Sequence, residues 1–101
     1  MPNFVRVAGK DEIPPGKGKS IETGGVWIAV FNVGGEYRAT SNVCVHRGGP
    51  LGEGDLEGPI VTCPWHGWQF DVTDGRCQTN PMASIPCYEV RIEGDDVLVG
   101  V

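Results

Sequence analysis

The chain predicts an all-β fold, one antiparallel β domain over residues 1–101 with two long loops that carry its candidate ligands. Three observations lead there. The apolar segments are short, and either alternate or run as β-branched and aromatic stretches; none keeps a helical period over a helix's length. Glycine and proline number 16 and 8, which interrupts the chain with turns throughout. Hydrophobic residues still make up 40%, enough to build a core and too many for a low-complexity chain. A chain of 101 residues supports a single core and gains from a staple.

Phe4 to Val7 alternates and reads as the first strand. Gly9 to Gly18 is a turn-rich connector, in which Lys10 to Glu12 has room for at most one helical turn before Pro14 and Pro15 stop it. Lys19 to Thr23 is a short strand ended by Gly24 and Gly25. Val26 to Asn32 is the most apolar run of the chain, and Gly34 and Gly35 signal a hairpin from it into Glu36 to Thr40. Ile60 to Cys63 enters the second long loop as a strand and Trp68 to Asp71 leaves it. Asp74 and Gly75 make a tight turn. Ser84 to Glu93 reads as one strand with Pro86 near its start, where a missing N–H is tolerated. Gly94 to Asp96 then turns it into Val97 to Val101. No internal repeat or linker interrupts this order.

Charge and hydropathy exclude several classes of function. The net charge is −5, from 13 acids against 8 bases, and no Lys/Arg cluster exists, so nucleic acid is not an expected partner. A protein with a basic docking surface is compatible with this balance. No apolar run approaches 18 residues, so no membrane span is expected. Met1 to Arg6 lacks the charged and apolar regions of a signal peptide. A cytoplasmic, monomeric protein is the expectation. In that compartment four cysteines bind metal more often than they pair as disulfides.

The chemistry concentrates between Cys44 and Phe70. Cys44-x-His46 is followed, after a 16-residue gap, by Cys63-x-x-His66. Each Gly/Pro-rich loop thus offers one thiolate and one imidazole, and both histidines of the chain are committed to the pattern. These ligand types suit tetrahedral zinc and also iron in sulfide clusters. A zinc finger would instead pair cysteine with cysteine, and histidine with histidine on a helix. Here the pairs are mixed and no helix is available. Zinc stays as the alternative metal.

This pattern resembles the Rieske family, in which C-x-H and C-x2-H loops hold a [2Fe-2S] cluster. The likeness runs from Asn42 to about Met82 and includes the glycines and proline of Arg47-Gly48-Gly49-Pro50 and the His66-Gly67 step. It implies a Rieske-type antiparallel β-sandwich whose cluster-binding subdomain is formed by the two loops. It further implies one [2Fe-2S] cluster, with Cys44 and Cys63 on one iron and His46 and His66 on the other. Asn80-Pro81-Met82 looks like the family's third, proline-containing loop, which covers the cluster. Two ferric ions, two sulfides and two thiolates sum to zero, against −2 for a four-cysteine cluster, so an electron is accepted more easily. Plant-type centres lie near about −400 mV and the lowest Rieske centres near about −150 mV, a gap of roughly 6 kcal/mol for one electron.

The residues that bind nothing indicate a branch. Rieske proteins of quinol-oxidising complexes resemble this chain but carry an additional cysteine in each loop, joined as a disulfide. The matching positions here are Gly49 and Trp65, so that bridge cannot form. Those proteins also direct a serine and a tyrosine hydroxyl at the cluster, where Trp68 and Phe70 stand here. Without these donors the reduced, more negative state is less stabilised, and a low potential follows. Terminal aromatic-ring dioxygenases contain a similar domain but also need a mononuclear iron held by two histidines and a carboxylate. No histidine remains for it. The chain therefore looks like an electron-transfer component and not an enzyme in its own right.

It is similar to the ferredoxins that pass one electron from a flavoprotein reductase to a terminal aromatic-ring-hydroxylating oxygenase. It is similar also to the small subunit of assimilatory NAD(P)H nitrite reductase, which would bind that enzyme's large subunit. A non-redox interaction domain with a structural metal site is the alternative of another class. No G-x-G-x-x-G or P-loop is present, so the electron donor is expected to be another protein.

Other residues have two readings each. Glu53, Asp55 and Glu57 either steer a basic partner or line a solvated loop. Arg47 meets an acidic partner or braces its loop. Trp65 and Trp68 shield the cluster or simply pack. Cys77 and Cys87 are expected as free, buried thiols acting as small apolar side chains, with a disulfide as the alternative. Asp71 and Asp74 flank a turn and offer no paired-carboxylate chemistry.

Overall fold

A computed structural model describes residues 3–44, 49–65 and 67–100. The expectations for His46, Arg47 and His66 fall outside these residues. The described residues form antiparallel strands throughout: β1 (Phe4–Gly9), β2 (Gly18–Thr23), β3 (Val26–Val33), β4 (Glu36–Ser41), β5 (Asp55–Glu57), β6 (Ile60–Thr62), β7 (Gln69–Asp71), β8 (Cys87–Tyr88), β9 (Val90–Glu93) and β10 (Asp96–Gly100). They make three sheets, in the orders β1-β10-β9, β2-β3-β4-β8 and β5-β6-β7. Lys10–Glu12 forms a 3-10 turn, within the one turn that the prolines allow, and Leu51–Glu53 forms a second. Among the described residues no helix is long and apolar enough to cross a membrane.

Strand β3 is the spine because both of its faces are buried. Ile28 and Val30 pack with Ala8, Ile13, Ala39, Val97 and Val99 in one core. Ala29 and Phe31 point the other way, into a second core with Leu51, Val61, Phe70 and two candidate ligands, Cys44 and Cys63. A strand covered on both sides reads as a continuous apolar run, which is what Val26 to Asn32 shows. Gly34 and Gly35, at φ +60 and +99, supply the left-handed pair that a two-residue hairpin requires. Asn32, buried just before them, accepts the Gly35 N–H on Oδ1 at 2.7 Å.

The expected strand Ser84 to Glu93 is two strands in two sheets. Cys87–Tyr88 pairs with Ala39 and Thr40 of β4, while Val90–Glu93 pairs with β10. Two features account for the division. Pro86 cannot donate to a ladder, and its carbonyl instead accepts the Ser41 N–H at 2.9 Å. Glu89, between the two pieces, accepts the Gly100 N–H at 2.9 Å and marks the crossing from one sheet to the other. The acidic segment after Gly52 also differs from a plain loop, because Asp55–Glu57 pairs with Ile60–Thr62.

Candidate metal centre

Cys44 is positioned from below by Asn42, a buried polar residue at the end of β4. Asn42 Oδ1 accepts the Gly52 N–H at 2.7 Å and the Ser20 hydroxyl at 3.0 Å. Its backbone N–H donates to the Trp27 carbonyl at 3.1 Å, and its carbonyl accepts the Leu51 N–H at 2.9 Å. One side chain therefore ties β2, the chain before the first ligand loop and the chain after it. The loop itself is closed where Cys44 N–H donates to the Gly49 carbonyl at 3.0 Å. Val43 and Pro50 bridge just outside that bond.

Cys63 follows β6 and is held by a second backbone closure. Its N–H donates to the Trp68 carbonyl at 2.7 Å, and its carbonyl accepts the Gly67 N–H at 3.1 Å. Gly67 has φ +76, so the turn takes glycine more readily than any other residue. Cys44 and Cys63 are both buried, at 2% exposure, within one apolar cluster. Gly49 joins the two loops sterically. A Cβ on it would stand 2.7 Å from Cys63 Sγ and 3.0 Å from Trp65 Cγ.

Gly49 and Trp65, the positions set against the quinol-oxidising proteins, thus face each other across the loops. Where a disulfide would cross, an indole lies over a bare backbone. Phe70 is fully buried beneath the second loop, and Trp68 packs against the core that holds both cysteines. Trp65 is 58% exposed and Val43 50%. With Trp27, also half in solvent, they border an open groove of about 310 Å³ that Glu53 closes on its acidic side. Asp55 and Glu57 are exposed on β5 and do not border that groove.

The remaining cysteines differ from expectation in one respect. Both are free, but only Cys77 is buried. Cys87 lies on the two-residue edge strand β8 and stays exposed. Partial desolvation, and then the charges of Asp74 and Asp71, push its thiol pKa up. Among the described residues no three His, Cys, Asp or Glu side chains converge as a metal site.

The donor types fit a sulfide-bridged iron cluster. Two buried thiols on backbone-closed loops, each two or three residues from a histidine in sequence, provide soft and imidazole ligands in an apolar surround. The sequence pattern identified the ligand types. It missed Asn42, and it marked Gly49 only as a position without cysteine and not for its close approach to Cys63, because both roles depend on contacts across the fold. The only sequence signals for them were an asparagine directly ahead of a ligand strand-end and a glycine doublet inside the loop.

Comparison with known proteins is consistent with this geometry. Residues 3–89 match the Rieske [2Fe-2S] domain. The biphenyl dioxygenase ferredoxin subunit of Pseudomonas sp. (strain KKS102) is 38% identical over 98 residues, covering 95% of this chain and 90% of that protein. A chain in the complex of reduced oxygenase and oxidized ferredoxin in carbazole 1,9a-dioxygenase superposes with a TM-score of 0.88 at 29% identity, covering 96% of this chain and 92% of that one. The putative NADH-dependent nitrite reductase small subunit from Mycobacterium tuberculosis has a TM-score of 0.91 over 100% of this chain and 96% of its own, at 24% identity, a likeness of fold.

Proposed function

The chain belongs to the Rieske [2Fe-2S] family, and from that premise we propose that it is a low-potential one-electron carrier, a single Rieske domain over residues 1–101. It takes electrons from a flavoprotein reductase and delivers them to a terminal aromatic-ring-hydroxylating oxygenase, as a cytoplasmic monomer. Cys44 and Cys63 would hold one iron of its [2Fe-2S] cluster, and His46 and His66 the other. When bound, the cluster supplies a reversible one-electron centre. The chain's own residues would hold it through two thiols buried in an apolar cluster, with Val43 and Trp65 exposed beside them.

The observation that carries this reading is the pairing of buried thiols with an exposed apolar rim. Cys44 and Cys63 are sealed in the core, while Val43 and Trp65, their near neighbours in sequence, stand half in solvent. An exposed aromatic rim beside one carboxylate suits a brief encounter, with Glu53 steering a basic surface. The dioxygenase ferredoxins to which the chain is similar favour the oxygenase as acceptor over nitrite reductase, whose small subunit shares the fold at lower identity.

The test is reconstituted electron transfer. The iron-loaded protein should contain two irons and two acid-labile sulfides, be reduced by a flavoprotein reductase, and be reoxidised by a terminal oxygenase within turnover. Trp27→Ser and Glu53→Gln should slow that reoxidation without changing iron content. A midpoint above about +100 mV, or a colourless protein containing zinc, would refute the reading. Stoichiometric co-purification with a nitrite reductase large subunit would move the acceptor to that enzyme.

A further inference from the structure

The groove bordered by Trp27 and Trp65 has polar features that an apolar rim does not explain. Trp27 continues the row of Phe31 and Ala29, alternate residues on one face of β3, from the buried core out to solvent. Val43 and Pro50 bridge at the base of the first ligand loop, and Trp65 comes from the second. The space between them is about 310 Å³. One water in the liquid takes roughly 30 Å³, so the groove has room for a piece of chain.

Its wall holds a donor without a protein acceptor. Asn42 lines the groove and is 6% exposed. A peptide N–H can only donate, so the atom 2.7 Å from the Gly52 nitrogen is the amide oxygen, which also accepts the Ser20 hydroxyl. That fixes the orientation of the amide and leaves Nδ2 on its other side. Among the described residues no acceptor reaches Nδ2, although buried amide donors are almost always paired. Glu53 lines the same groove, and its exposed carboxylate has neither a donor nor a cation among the described residues.

A buried donor and a bare acceptor in one groove complement a secondary amide. A guanidinium or ammonium would satisfy Glu53 and leave Nδ2 unpaired, because neither cation offers an acceptor. A carboxylate would satisfy Nδ2 and be repelled by Glu53. A peptide unit answers both, and the half-exposed indoles of Trp27 and Trp65 cover the side chains that flank it.

We infer that the groove binds a peptide unit from an extended segment of the electron-accepting oxygenase: Asn42 Nδ2 donates to its carbonyl, and Glu53 accepts its N–H. The inference rests on the proposed acceptor and names the chemistry by which that partner is read. It gives Asn42 a second role, since Oδ1 closes the loop while Nδ2 faces the partner.

The test uses the iron-loaded protein at pH 8 and the terminal oxygenase of the biphenyl dioxygenase system whose ferredoxin subunit is 38% identical. Binding is titrated on the immobilised oxygenase, and reoxidation is followed separately. Asn42→Asp keeps an oxygen for Gly52 and Ser20 but replaces the Nδ2 donor with a charged acceptor. At equal iron and sulfide content it should weaken binding at least about threefold, the order of one lost hydrogen bond. Attraction between charges alone predicts the opposite, since the variant is the more acidic protein. In about 0.5 M salt, which screens exposed charges, Glu53→Leu should weaken binding by a similar factor. Glu53→Gln keeps an acceptor oxygen and should weaken it much less under the same conditions.

Wild type that binds without being reoxidised would refute the electron-transfer reading, and the binding comparisons would still decide this inference. An Asn42→Asp variant that binds as well as wild type, or better, would overturn it. Equal binding by Glu53→Leu and Glu53→Gln would also overturn it, and that pair decides the matter if Asn42→Asp does not hold its iron. A wild-type protein that does not bind the oxygenase would overturn it outright.

Discussion

Gly49→Ala makes the sharpest demand on the metal centre. The added methyl would stand 2.7 Å from Cys63 Sγ, about 0.7 Å inside the 3.4 Å where ordinary contact begins. Trp65 Cγ and Cβ, at 3.0 and 3.2 Å, also crowd it, but that ring is mostly in solvent and can swing away. Cys63 cannot, because it is 2% exposed and its N–H and carbonyl are both committed to the loop closure. Overpacking of this kind costs about 1–3 kcal/mol. It exceeds the roughly 0.4–1 kcal/mol that a Gly-to-Ala change gains from a less flexible unfolded chain. The strain falls on a proposed ligand, so it is released by displacing Cys63 and not by unfolding the frame. Expression under identical conditions should yield a folded protein with iron and acid-labile sulfide reduced at least severalfold, and faster cluster loss on heating. Full iron content with an unchanged midpoint potential would refute the steric argument.

Two further perturbations test the surroundings. Asn42→Ala leaves the buried Gly52 N–H without its 2.7 Å acceptor and should cost about 1–3 kcal/mol, read as a melting temperature lower by several degrees. Ser20→Ala removes only the 3.0 Å donor to the same oxygen and should cost less. Glu12 has its pKa lowered first by the Lys19 hydrogen bond, then by the Gly9 N–H and the Lys19 charge. A carboxylate depressed in the folded state stabilises it above its unfolded pKa and stops doing so as pH falls through the folded value. Wild type should therefore exceed Glu12→Gln in stability at pH 7, and the difference should vanish below the ordinary carboxylate range in denaturant titrations at stepped pH.

Local chemistry was legible in the sequence where it is set by neighbours in the chain. The hairpin at Gly34–Gly35, the strand break at Gly24–Gly25, the turn after Gly9 and the apolar run of β3 all follow from residue types within a few positions. The Cys/His pattern is readable for the same reason, since residue type and spacing are one-dimensional. What the sequence did not disclose lies between segments. Ser84 to Glu93 carries a strand's composition throughout, and only the partners on either side of Glu89 decide that it belongs to two sheets. Cys77 and Cys87 look equivalent in sequence, yet one faces the core and the other the rim of an edge strand. Asp55–Glu57 is too short and charged to announce a strand until β6 pairs with it.

The architecture also connects the proposed low potential to the fold. Phe31 and Ala29 leave β3 on the side of the proposed ligands and pack in one cluster with Val61, Phe70, Cys44 and Cys63, so the proposed centre is floored by aromatic and aliphatic groups. A floor of this composition offers few dipoles to an arriving electron. Phe70, where the similar quinol-oxidising proteins present a hydroxyl, is fully buried and contributes only carbon. Dielectric and missing donors therefore act in the same direction, both disfavouring the reduced charge. The opposite face of β3 belongs to a separate core with Val97 and Val99, which holds the strand in place whatever happens at the loops. Substitutions in the loops should accordingly change cluster content and potential before they change global stability, and substitutions at Ile28 or Val30 should do the reverse.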